Sequence, residues 1–194
     1  MILYESSVLN TVTVQALIQH VNNAAVVEPA LHFIAIISTD MNTRAKYGTE
    51  TPCCGAIVKA LEIHSNHPDV VNLFLEDYSL LCIVIFNFII IFFFRKVLYG
   101  CNALVTVATG NVFNRGLFGK AGACEQVKAL LLKYQGSVQV APMVCRAVFI
   151  LASGSNEHRA KFAGLQQPIQ QIINSKEFSD VAKKDAKDAL RVVQ

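Results

Sequence analysis

Glu62, His64 and His67 stand in a Glu-x-His-x-x-His pattern, and a carboxylate with two imidazoles could hold zinc. No fourth donor is evident, and Asn66-His67-Pro68-Asp69 reads as a turn, where polar residues belong anyway. No metal and no cofactor are expected. Asn114-Arg115 and His158-Arg159 could grip a phosphate or a carboxylate. Both pairs recur at one fixed point of a longer pattern, which points to a scaffold role: capping helix carbonyls or pairing with a neighbouring segment. The six cysteines, at 53, 54, 82, 101, 124 and 145, form no Cys-x-x-Cys pair. Cys101, Cys124 and Cys145 lie in apolar helical patterns, where cysteine serves as a small hydrophobe. There is no glycine-rich phosphate loop, no Gly-x-Ser-x-Gly and no paired acidic motif. Nothing nominates a nucleophile, so no catalysis is expected.

Composition narrows the classes further. The 194 residues are 53% hydrophobic and 16% charged, which supports a large core and argues against disorder. The net charge of +3 comes from scattered basic residues rather than a stripe, so no nucleic-acid partner is expected. The run from Lys183 to Arg191 mixes both signs and reads as a solvated helix face. The first residues, Met1-Ile2-Leu3-Tyr4-Glu5, lack the pattern of a signal peptide, and a reduced, cytoplasmic setting is the expectation.

The elements that would position these residues repeat along the chain. Ala30–Ser38, Cys101–Thr109 and Cys145–Ser153 are similar apolar stretches, followed by Arg44, Arg115 and Arg159. Each arginine lies 14 residues after the start of its stretch, and an aromatic (Tyr47, Phe118, Phe162) follows each by three. A second apolar helix comes next, over Cys54–His64, Ala123–Tyr134 and Leu165–Asn174. Val127, Leu130, Leu131 and Tyr134 recur at helical spacing on one face. Gly48, Gly122 and Gly164 mark turns, and Pro29 and Pro142 fall near the starts of long helices. Arg115 and Arg159 are 44 residues apart, a period of the armadillo and HEAT class.

A short helix ending in glycine, an apolar helix and a long helix reading roughly Cys-x-Ala-Leu-x-x-x-Ala resemble the armadillo repeat of importin-alpha, beta-catenin and vacuolar armadillo proteins. The resemblance covers residues 12–194 apart from one interruption. It implies an all-α fold: a right-handed α-solenoid of about four three-helix units, incomplete at both ends. The units are 12–38 (partial), 39–109 (interrupted at 70–96), 110–153 and 154–194. The first would open on a second helix, Val12–His20, and the last would end on a third helix, Phe178–Val193. The resemblance also implies a scaffold or adaptor that binds a protein or extended peptide along a concave groove lined by third helices. The family's paired ligand-gripping positions fall on Leu31 and Ala35, Asn102 and Thr106, and Arg146 and Ile150. Neither a tryptophan nor an asparagine stands where importin-alpha has it, so a nuclear-import receptor is not expected. Asn102, Thr106, Arg146 and Ile150 are the candidate groove residues, with Asn102, Thr106 and Arg146 facing outward and Leu104 and Val148 inward.

The interruption admits three readings. Arg44 and Arg115 are 71 residues apart, 27 more than the regular step, and the surplus maps to 70–96. Ten of the twelve residues Ile83–Phe94 are Ile or Phe. A single spanning helix near 80–94 would make this a membrane-anchored protein with flanking repeats. Those 15 residues reach only about 22 Å, against a hydrocarbon core of about 30 Å. An extra buried helix or strand is the second reading. The third, a translated intron, accounts best for residues with A+T-rich codons and for a surplus that keeps the reading frame.

Overall fold

The structure, a computed structural model, describes residues 2–40, 44–47, 52–64 and 95–194, with side chains from Leu9 onward. The described residues form helices and no strand. In chain order they are α1 (Ile2–Gln19), α2 (Ala24–Ile37), α3 (44–47), α4 (Cys53–His64), α5 (95–108), α6 (Val112–Lys120), α7 (Ala123–Tyr134), α8 (Ala141–Ala152), α9 (Asn156–Lys161), α10 (Gln166–Asn174) and α11 (Asp180–Val193). The fold is all-α, as expected.

The sequence places these helices closely. The second-helix stretches become α4, α7 and α10 within a residue of the expected bounds. Val127, Leu130 and Leu131 are fully buried and Tyr134 is half-buried, so the apolar stripe of α7 faces the core. Along α11, Ala182, Ala186, Ala189 and Val193 are buried while Lys184, Lys187 and Arg191 are exposed. Small alanines let α8 and α11 approach closely, and these two helices pack extensively, as do α10 and α11. Leu104 and Val148 face inward, both at 0% exposure.

Two expectations change. The first helix is longer than expected, running from Ile2 rather than Val12. Pro29 lies inside α2 rather than near its start, because Asn23 accepts a hydrogen bond from the Ala25 N–H and starts the helix earlier. Pro142, in contrast, does sit in the first turn of α8.

The connections use glycine where no side chain is tolerated. Gly110 and Gly154 end α5 and α8 with φ of 68° and 83°, a region that disfavours residues with a Cβ. Gly122 and Gly164 take positive φ as expected, and Gly48 lies outside the described residues.

The surplus at 70–96 overlaps the described chain only at its end. Residues 70–94, including the possible span at 80–94, lie outside it. Arg95 and Lys96 form the first turn of α5, so this helix begins inside the assigned surplus. Among the described residues, no helix is long and apolar enough to cross a membrane.

Candidate interaction surface

The recurring polar residues act on helix ends. The Asn111 side chain accepts from the Asn114 N–H, and the Ser155 side chain accepts from the His158 N–H, so each opens its short helix. The Asn114 amide nitrogen then donates to the Val107 carbonyl at 3.0 Å and to the Arg44 carbonyl at 2.6 Å. His158 Nδ1 lies 3.0 Å from the Leu151 carbonyl. A carbonyl only accepts, so this nitrogen carries the proton. Val107 and Leu151 stand in the same relation to their short helices. The last-turn carbonyls that α5 and α8 cannot satisfy internally are thus met by a buried side chain from the next helix.

The arginines behave as the sequence suggested at two of three positions. Arg44 Nη1 donates to the Thr109 carbonyl at 2.6 Å, and Arg159 Nε donates to the Ala152 carbonyl at 3.3 Å. Arg44 also lies over Gly110, and Arg115 lies over Gly154 in the same way. Arg44 precedes its glycine by 66 residues and Arg115 by 39. The separations differ by 27, the length of the surplus.

The other candidate residues make contacts within the fold. His64 is buried, with Nε2 2.7 Å from the Val21 carbonyl, and Glu62 pairs with Lys59 at 2.8 Å. His67 lies outside the described residues, and no metal-binding group of His, Cys, Asp and Glu occurs among the described ones. All five described cysteines are buried and unpaired, while Cys82 lies outside. Burial pushes the thiols of Cys54, Cys101 and Cys145 up to about 12 and that of Cys124 to about 11, so at neutral pH none is a thiolate nucleophile.

The four candidate groove residues are all half-buried. The Asn102 side chain makes no hydrogen bond among the described residues, leaving its amide open to a ligand. Thr106 Oγ1 turns back to the Asn102 carbonyl at 2.9 Å. Arg146 grips both carboxylate oxygens of Asp185, at 2.9 and 3.2 Å, tying α8 to α11. Ile150 contributes apolar surface. Of the expected paired positions, Leu31 and Ala35 are core residues, 1% and 2% exposed. The exposed residues beside them are His32 and Ile36, so α2 is rotated by about one residue relative to the expected register.

Sequence reasoning missed a cluster joining α2 to α5. Arg95 Nε lies 3.1 Å from Glu28 Oε1, and its Nη2 donates to the Tyr99 hydroxyl at 3.1 Å. Tyr99 stacks on His32 at 4.4 Å between ring centroids. The only signal was the three- and four-residue spacing of Arg95, Tyr99, Asn102 and Thr106, hidden by the placement of Arg95 in the surplus. Asp185, read as part of a solvated face, was missed likewise. No protein-family model matches this chain, and no curated protein matches it in sequence.

Proposed function

We propose that the chain forms a right-handed armadillo-type α-solenoid that acts as a cytoplasmic interaction scaffold, binding an extended peptide of a partner protein without catalysis. The observation that carries this reading is the arginine-over-glycine contact, made twice with a difference equal to the surplus. The paired caps at Asn111 and Ser155, and the carbonyl bonds of Asn114 and His158, support the same 44-residue register. The long helices α2, α5, α8 and α11 would then be the third helices that line the groove. An extended peptide leaves its backbone N–H and C=O groups unpaired, and a side-chain amide such as Asn102 can serve both. Tyr99, stacked on His32, and half-buried Ile150 would offer apolar contact area, which dominates binding energy.

The test is selection of binders from a displayed peptide library on the immobilised full chain. Selected peptides are expected to lose at least about tenfold in affinity to Asn102→Ala, the loss of roughly one or two hydrogen bonds. Peptides that bind Asn102→Ala and Ile150→Glu variants as well as the parent would refute the groove.

A further inference from the structure

We propose a second binding site, for a phosphate monoester, in the cleft between α6 and α9, with Arg115 and Lys120 as its anion-binding groups. The cleft measures about 510 Å³, within the range of small-ligand sites, and shares no residue with the groove. Three cations line it, Arg115, Lys120 and Lys161, against one carboxylate, Glu157. Lys161 is held 3.1 Å from Glu125, which leaves Arg115 and Lys120 as the available charges.

Arg115 makes the case. Its counterparts Arg44 and Arg159 each donate to a backbone carbonyl, whereas the Arg115 guanidinium is half-buried with no hydrogen bond or ion pair among the described residues. The guanidinium lines the cleft with no protein acceptor among the described residues, so its donors are available to an anion there. Its planar fork suits a phosphate's oxygens, and a second free cation suits a dianion better than a single carboxylate. Gly116 lines the cleft beside open space, since a Cβ there would meet nothing within 4 Å. The cleft is larger than a bare phosphate needs, and Val112 at its edge is 72% exposed, offering apolar surface for the organic part of the ester.

The experiment is calorimetric titration of the full chain with phenyl phosphate and, separately, with a short phosphoserine peptide flanked by alanines. Saturable binding is expected, weakened about tenfold by Arg115→Gln and severalfold by Lys120→Gln, each of which removes a charge-assisted contact. Glu157→Gln is expected to tighten binding about twofold by removing the opposing charge. The Arg115 side chain makes no hydrogen bond or ion pair among the described residues, so Arg115→Gln should melt close to the parent's temperature, separating lost binding from lost folding. Tighter binding of the peptide would identify a phosphorylated partner as the source, and equal binding would identify the phosphate group alone. Absence of saturable binding by both probes, or binding that Arg115→Gln leaves intact, would overturn the proposal. Neither result depends on the groove selection.

Discussion

In the region of α2 and α3, Glu28 buries Oε2 and Tyr47 buries its hydroxyl without a protein partner. From Val140 to Gln194 no buried side-chain polar atom is left in that state, among the described residues. The contrast is sharpest at one position of the pattern. Tyr47, Phe118 and Phe162 all follow the recurring arginine by three residues, and all are at most 1% exposed. Phe118 and Phe162 gain the full apolar burial of the site. Tyr47 gains nearly the same burial but carries an unpaired hydroxyl into it, and desolvation there pushes its pKa well above the ordinary tyrosine value. The difference teaches that a pattern legible as one aromatic position hides two energetic situations, separated by a single oxygen atom.

The largest effect should come from emptying the better-satisfied site. Phe162→Ala should lower stability by about 3–5 kcal/mol through lost burial and a residual cavity, read from urea titration. A loss below about 1 kcal/mol would mean that α9 collapses into the space and the site is not rigidly packed.

Gly119→Ala tests how tightly the two short helices α6 and α9 meet. An alanine in an open helix position gains up to about 1 kcal/mol over glycine. Here its Cβ would overlap the His158 ring, so a loss of about 1–3 kcal/mol is expected instead. The double variant with His158→Ala should recover part of that loss, and strict additivity would show that the ring moves aside freely.

The aromatic position itself can be exchanged in both directions. Phe162→Tyr should cost about 1–3 kcal/mol by burying an unpaired hydroxyl. Tyr47→Phe should be neutral or stabilising by up to about 1 kcal/mol. A clear loss on Tyr47→Phe would mean that the hydroxyl has a partner after all, and the comparison would fail.

The smallest expected effect is at Arg146→Ala. Its side chain is 43% exposed, so despite the grip on Asp185 the pair should contribute only about 0–1 kcal/mol, fading with added salt. A larger, salt-resistant loss would show that α8 and α11 depend on the ion pair and not on their alanine-lined contact.

The sequence alone determined the helical class and the places of α4, α7 and α10. Apolar residues at three- and four-residue spacing define α7 without ambiguity, and Ala123–Tyr134 is the helix observed. Local chemistry also fixed the turns, because an αL position calls for glycine wherever it occurs, as at Gly122 and Gly164. Periodicity could not fix the rotation of α2. Leu31 and His32 both lie in an apolar run, and only the packing of α2 against α1, α4 and α5 decides which one is buried. Nor could it start that helix, since the Asn23 cap outweighed the proline signal. Tertiary structure alone decided which charges are used. Arg44, Arg115 and Arg159 are indistinguishable as letters, yet Arg44 and Arg159 each reach a backbone carbonyl while Arg115 has no acceptor among the described residues. Hydrogen bonds depend on tenths of an ångström between atoms far apart in the chain, whereas helix formation depends on neighbours within one turn.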